Sequence, residues 1–65
     1  MQVFVNGNKV KTKARFLSEL LTEQGFEGDW LATAQNCELV SADERASCLI
    51  TENDRIEILS PMQGG

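Results

Sequence analysis

Histidine and tyrosine are missing from this chain, and proline and tryptophan each occur once. Without histidine, no side chain ordinarily titrates near neutral pH, so an enzyme of this size would lack its usual general base. Cys37 and Cys48 are the only cysteines. With no histidine and no further thiol they make neither a metal site nor a disulfide framework; their default role is that of a small buried hydrophobe or a tolerated surface residue. No stretch is apolar for long enough to span a bilayer. No secretory leader is predicted, because Met1–Val5 is too short for an apolar core and carries no basic lead-in. Positive charge is scarce beyond residue 15, where Arg45 and Arg55 stand against all ten acids. The net charge of −4 and the pI near 4.5 argue against nucleic acid and anionic membrane as partners.

What is present fits one small domain. The 65 residues are 42% hydrophobic and 25% charged, ordinary for a globular chain. A domain of this size buries only about 60% of its unfolded surface, so its stability is expected to be marginal. Met1–Val5 predicts a strand with Val3 and Val5 on one face and Phe4 on the other. Asn6-Gly7 is a hairpin turn signal, and Lys9–Lys13 alternates as a return strand. Its lysines suit a protected edge. Lys9, Lys11, Lys13 and Arg15 make the first fifteen residues basic and free of acid, an asymmetry that suits either a solvated face or partner steering.

Phe16, Leu17, Leu20 and Leu21 recur at helical spacing and predict a helix over residues 16–24. No Ser, Thr, Asp or Asn precedes the stripe as a cap, and Glu19 and Glu23 form a like-charge pair expected to weaken the helix slightly. Gly25 and Phe26 predict a Schellman end folded back on Leu21. Residues 30–35 predict a strand with Trp30, Ala32 and Ala34 facing one way, the alanines lying under the helix. A turn at Asn36-Cys37, a short strand at 38–40, a loop or single helical turn over 41–47 and an apolar patch at 48–50 follow. A turn at 51–54 leads to a last strand, 55–59, with Ile56 and Ile58 inward. One helix covering one face of a sheet buries every apolar stripe in this order of elements.

The final residues, Ser60-Pro61-Met62-Gln63-Gly64-Gly65, point to chemistry. Pro61 has no N–H and favours ending the ladder, and it pushes Ser60 toward extended geometry. Glycine lets a partner approach the backbone closely. The expectation is a body over residues 1–60 and a thin tail over 61–65, with the carboxylate of Gly65 as the reacting group and Gln63 and Gly64 threading into another enzyme's site. A carboxylate becomes a useful electrophile once converted to a mixed anhydride, such as an acyl-adenylate.

The whole pattern resembles the ubiquitin-like β-grasp proteins, and within them the sulfur carriers of thiamine biosynthesis, the ThiS family. Val3, Val5, Asn6 and Gly7 carry the likeness in the hairpin, Glu19-Leu20-Leu21 in the helix, Asn36 and Glu38 at the second turn, Asn53–Ile58 near the end, and Gln63-Gly64-Gly65 at the terminus. Phe16, Thr33, Gln35 and Cys37 depart from the pattern, which usually has a small hydroxyl residue, apolar residues and glycine at these places. The resemblance implies an α+β fold, a mixed sheet of four to five strands covered on one face by one helix. It implies a cytoplasmic carrier rather than an enzyme, monomeric when free, with no cofactor of its own. A ubiquitin-activating-like adenylyltransferase would use ATP to adenylate Gly65, a persulfide protein would supply sulfur, and thiazole synthase would accept it from the thiocarboxylate. Neither cysteine is expected to carry the transferred sulfur. The small subunit of molybdopterin synthase and a ubiquitin-like modifier are the alternatives. Phe4, on the uncovered face, joins Leu59 and Met62 as the expected docking patch for the activating enzyme.

Overall fold

The computed structural model describes residues 1–26 and 31–59. Trp30, whose facing is predicted above, and the terminal residues Met62, Gln63, Gly64 and Gly65 lie outside them. The elements run β1 (Gln2–Val5), β2 (Asn8–Lys11), α1 (Leu17–Glu23), β3 (Ala32–Gln35), β4 (Glu38–Val40), a 3-10 helix (Ala42–Ser47) and β5 (Arg55–Leu59). They form one five-stranded sheet in the order β2-β1-β5-β3-β4. The central pair β1 and β5 is parallel, and every other pair is antiparallel.

Each hairpin is made by its turn residues. Asn6 and Gly7 take φ of 51° and 86°, as a two-residue turn matching the twist of paired strands requires. Asn36 and Cys37 repeat that geometry at 51° and 74°, so the second hairpin forms although its glycine position holds cysteine. β2 lies at the edge, and its alternation leaves Lys9 and Lys11 exposed while Val10 packs against the core.

α1 begins without a side-chain cap from Phe16. Glu19 supplies the missing acceptor: its carboxylate reaches back to the N–H groups of Arg15 (2.8 Å) and Phe16 (3.3 Å). Those bonds hold the Glu19 carboxyl below its usual pKa. Glu23 accepts from the Thr12 hydroxyl and from the Lys13 N–H, tying the last turn of α1 to the chain leaving β2. The acidic pair that by spacing alone should weaken the helix thus secures both its ends. The Schellman end is present: Gly25 sits at φ 84°, Phe26 N–H donates to Leu21 (2.9 Å), and Gly25 N–H donates to Thr22 (3.1 Å).

Leu17, Leu20 and Leu21 of α1 pack on Val3, Val5, Ile56 and Ile58 in one core, with Ala14, Leu31 and Ile50 at its margins. β3 faces opposite to the expected sense. Leu31 and Thr33 are buried and Ala32 is exposed. The reason is Arg45, whose side chain is also buried. Its guanidinium donates to the Thr33 hydroxyl (3.0 Å) and to the Leu31 carbonyl, while the Thr33 hydroxyl donates to Val40 O (2.8 Å). A polar residue on the core side of β3 is therefore satisfied, which frees the alanines to face outward. Within the predicted loop or single turn over 41–47, the 3-10 helix Ala42–Ser47 carries Arg45 into place.

Cys37 is the one residue of the two hairpin turns whose type conflicts with its geometry, since a side chain in the left-handed region costs on the order of 1 kcal/mol. Cys37→Gly should raise stability by about that amount, moving the thermal midpoint upward by roughly 4–8 °C for a domain of this size. A melt of the variant with an unchanged or lower midpoint would contradict this account of the turn.

Candidate functional site

β5 is the strand that leads into the terminal segment, and it occupies the middle of the sheet. Both hairpin asparagines clamp it. The Asn6 amide exchanges bonds with the backbone of Ile58, accepting its N–H at 2.8 Å and donating to its carbonyl at 3.1 Å. Asn36 accepts the N–H of Arg55 at 2.9 Å. β5 is thus held by both neighbouring strands and by a side chain at each end of its run.

The entry to β5 is organised by Asp54, which is buried. Its carboxylate accepts from Gln35 Nε2 (2.8 Å), Asn36 Nδ2 (3.0 Å), Thr51 N–H (2.8 Å) and Thr51 Oγ1 (3.0 Å). Burial pushes this carboxyl up, but the bonds from Asn36, Thr51 and Gln35 outweigh it and hold the group below the usual aspartate range. Gln35 also accepts from the Cys48 thiol at 3.1 Å. Burial first, then the charges of Asp54 and Glu44, raise that thiol, which makes Cys48 a poor nucleophile. Cys37 is exposed on its turn.

The sheet face away from α1 carries no helix among the described residues, and the strand registers map it. Lys9, Phe4 and Arg55 make one row across β2, β1 and β5. Leu39, Ala34 and Glu57 make the next, across β4, β3 and β5, and Ala32 and Leu59 the last. Leu39 and Leu59 are 84% and 70% exposed, the most open large hydrophobic residues described. With Ala32, Thr33, Ala34 and Glu57 they line a shallow hollow of about 120 Å³. Phe4 is half-buried beside a second hollow, lined also by Gly7, Arg55 and Glu57.

Two of the three residues expected to form a docking patch, Phe4 and Leu59, do share the open face. They are not adjacent: Phe4 pairs with Arg55, four residues before Leu59, a separation of about 13 Å along the strand at ~3.3 Å per residue. Leu39, which the sequence reading passed over, is the closer companion of Leu59. Its signal was there, since the partly buried Val40 beside it leaves Leu39 on the outer face of a short strand. Among the described residues no three His, Cys, Asp or Glu side chains are grouped to hold a metal, and no helix is long and apolar enough to cross a membrane.

A mixed five-stranded sheet with parallel central strands, gripping one helix, defines a ubiquitin-like β-grasp protein. More narrowly, the sequence pattern of the ThiS family matches residues 3–65, and the chain belongs to that family, the sulfur carriers of thiamine biosynthesis. The fold agrees with that of a thiamine biosynthesis protein (ThiS) from Geobacter metallireducens. Its crystal structure shares 22% identity and a TM-score of 0.81, with all of both chains covered. The solution structure of a thiamine biosynthesis protein from the same organism gives 22% and 0.80, covering all of this chain and 88% of that one. No curated protein matches the chain in sequence.

The Asp54 cluster has a pH signature. A carboxyl whose folded pKa lies below its unfolded value of about 3.9 contributes stability that is complete above pH 4 and lost as pH falls through the folded pKa. The thermal midpoint of the unaltered chain should therefore drop steeply below about pH 4. Asp54→Asn should be less stable at pH 7 by roughly 1–3 kcal/mol, because a donor then faces donors, and should show a shallower acid decline. The lowered Glu19 carboxyl leaves some acid slope in the variant. Parallel pH–stability curves for the two proteins would refute the role given to Asp54.

Proposed function

We propose that this chain carries sulfur as a thiocarboxylate on Gly65, made by an activating enzyme and consumed in thiazole formation. The observation that carries the reading is the family match, which runs to Gly65 itself. The body over 1–60 serves as the handle and residues 61–65 as the reacting segment. The Gly65 carboxylate attacks the α-phosphorus of ATP on a ubiquitin-activating-like adenylyltransferase, and pyrophosphate leaves. The terminal sulfur of a persulfide protein then attacks the acyl carbon and AMP leaves. Thiol cleavage of the resulting acyl disulfide frees the thiocarboxylate, and thiazole synthase takes the sulfur. ATP and its metal ion belong to the activating enzyme, and the place of action on this reading is the cytoplasm.

The chain's own residues supply presentation. Gln63 and Gly64 thread the partner's active site. β5, clamped by Asn6 and Asn36, gives the segment a stiff base, so recognition of the body fixes where the carboxylate lies. Cys48 is ill suited to carry the sulfur, because its thiol is half-buried and its pKa is raised. Incubation with the activating enzyme, ATP and a persulfide donor should exchange one terminal oxygen for sulfur, read by intact mass. Equal modification of a chain lacking Gly64 and Gly65 would sink the proposal.

On the same reading the open sheet face, through Phe4, Leu59 and Met62, docks the activating enzyme. Isolated apolar residues on a surface are common, but Leu59 shares its hollow with Leu39 and two alanines, which supports a built patch. An anchor of this kind typically contributes about 2 kcal/mol or more, so Phe4→Ala and Leu59→Ala should each weaken binding roughly 30-fold. Calorimetric titration beside a thermal melt checks this; unchanged affinity, or a loss that only follows unfolding, would remove the patch.

A further inference from the structure

The basic stretch near the start of the chain has no part in the chemistry above, yet the sheet puts it to use. Lys9 and Lys11 are exposed on β2, and the register sets Lys9 directly across from Phe4. On the other flank of Phe4, the parallel pairing sets Arg55. Neighbouring strands lie about 4.8 Å apart, so the Phe4 ring is bracketed by a cation on each side. Lys11, opposite Gln2, extends the charge by one row on the same face. Among the described residues the acids bordering this area are Glu57, one row further along β5 beside Ala34 and at the edge of the hollow by Phe4, and Glu52, whose carboxylate accepts the Gln2 N–H at 3.1 Å. Asp54 is turned to its own four donors. The open face is therefore divided: a cationic half around Phe4 and an apolar half around Leu39 and Leu59.

We propose that the cationic half, Lys9, Lys11 and Arg55 around Phe4, docks an acidic surface of the activating enzyme, carboxylates meeting the cations while an apolar side chain lies against Phe4. This rests on the carrier reading and adds the chemistry of the partner to it. Charge complementarity selects the occupant. A chain of net charge −4 repels an extended polyanion such as nucleic acid, whereas a compact acidic patch on a protein is matched by three cations on one face. Such pairing acts mainly on encounter and orientation, and orientation is what a carrier with a single reacting terminus needs.

The test measures pyrophosphate release by the activating enzyme with the full chain as substrate, at low and high salt. The double variant Lys9→Glu, Lys11→Glu should raise KM by about tenfold or more at low salt, and the difference should shrink as salt screens the charges. Lys9→Arg, Lys11→Arg should restore the unaltered KM, and a thermal melt should show all three chains folded. An unaltered KM and salt dependence in the charge-reversed chain would overturn the proposal while leaving the carrier reading standing. So would self-association of the unaltered chain that the charge reversal abolishes, since a second copy would then own the patch. Failure of the unaltered chain to release any pyrophosphate would overturn the carrier reading, and this proposal with it.

Discussion

The carboxylate of Asp54 is the constraint on which the rest of the sheet depends. It gathers the end of β3, the first residue of the second hairpin turn and the turn before β5. The main-chain carbonyl of the same residue accepts the N–H of Phe4 at 2.8 Å, so this one position also touches β1. A buried carboxylate is tolerated only when its acceptor sites are filled. Here they are, and that requirement fixes the mutual placement of segments far apart in sequence. A 65-residue chain has little apolar area to specify its register. A satisfied polar cluster adds geometric specificity that a few more methyl groups would not.

The same economy accounts for the open face of the sheet. One helix can cover one face of a five-stranded sheet, and α1 covers the face of Val3, Val5, Ile56 and Ile58. Among the described residues, no helix covers the other register. For a carrier this is useful, because the uncovered face includes β5, the strand that leads to the terminal segment. That strand is held at both ends by Asn6 and Asn36.

Much of this was legible in the residues. Asn6-Gly7, the apolar stripe of Phe16–Leu21, the Gly25-Phe26 ending and the alternation of Arg55–Leu59 each encode a local geometry, and each appears as expected. The facing of β3 was not legible. Alternation alone cannot say which of two registers is inward when both contain small or polar residues, and Thr33 became a core residue only because Arg45, twelve positions later, reaches it. Glu19 and Glu23 misled for the same reason. Helical spacing gives their mutual repulsion but not the backbone N–H groups and the Thr12 hydroxyl that fold brings to them.

By itself the sequence determined the order of the described elements and the local geometry of the Asn6-Gly7 turn and the Gly25-Phe26 helix ending. These depend on short-range backbone preference and on residue type, which need no partner. Tertiary structure alone decided that Lys9 and Arg55 flank Phe4, that Leu39 joins Leu59, and that Asp54 and Arg45 lie inside. Those outcomes rest on which strands lie side by side. Pairing of β1 with β5 closes a loop of some fifty residues, and its register is set by packing and buried hydrogen bonds rather than by local pattern.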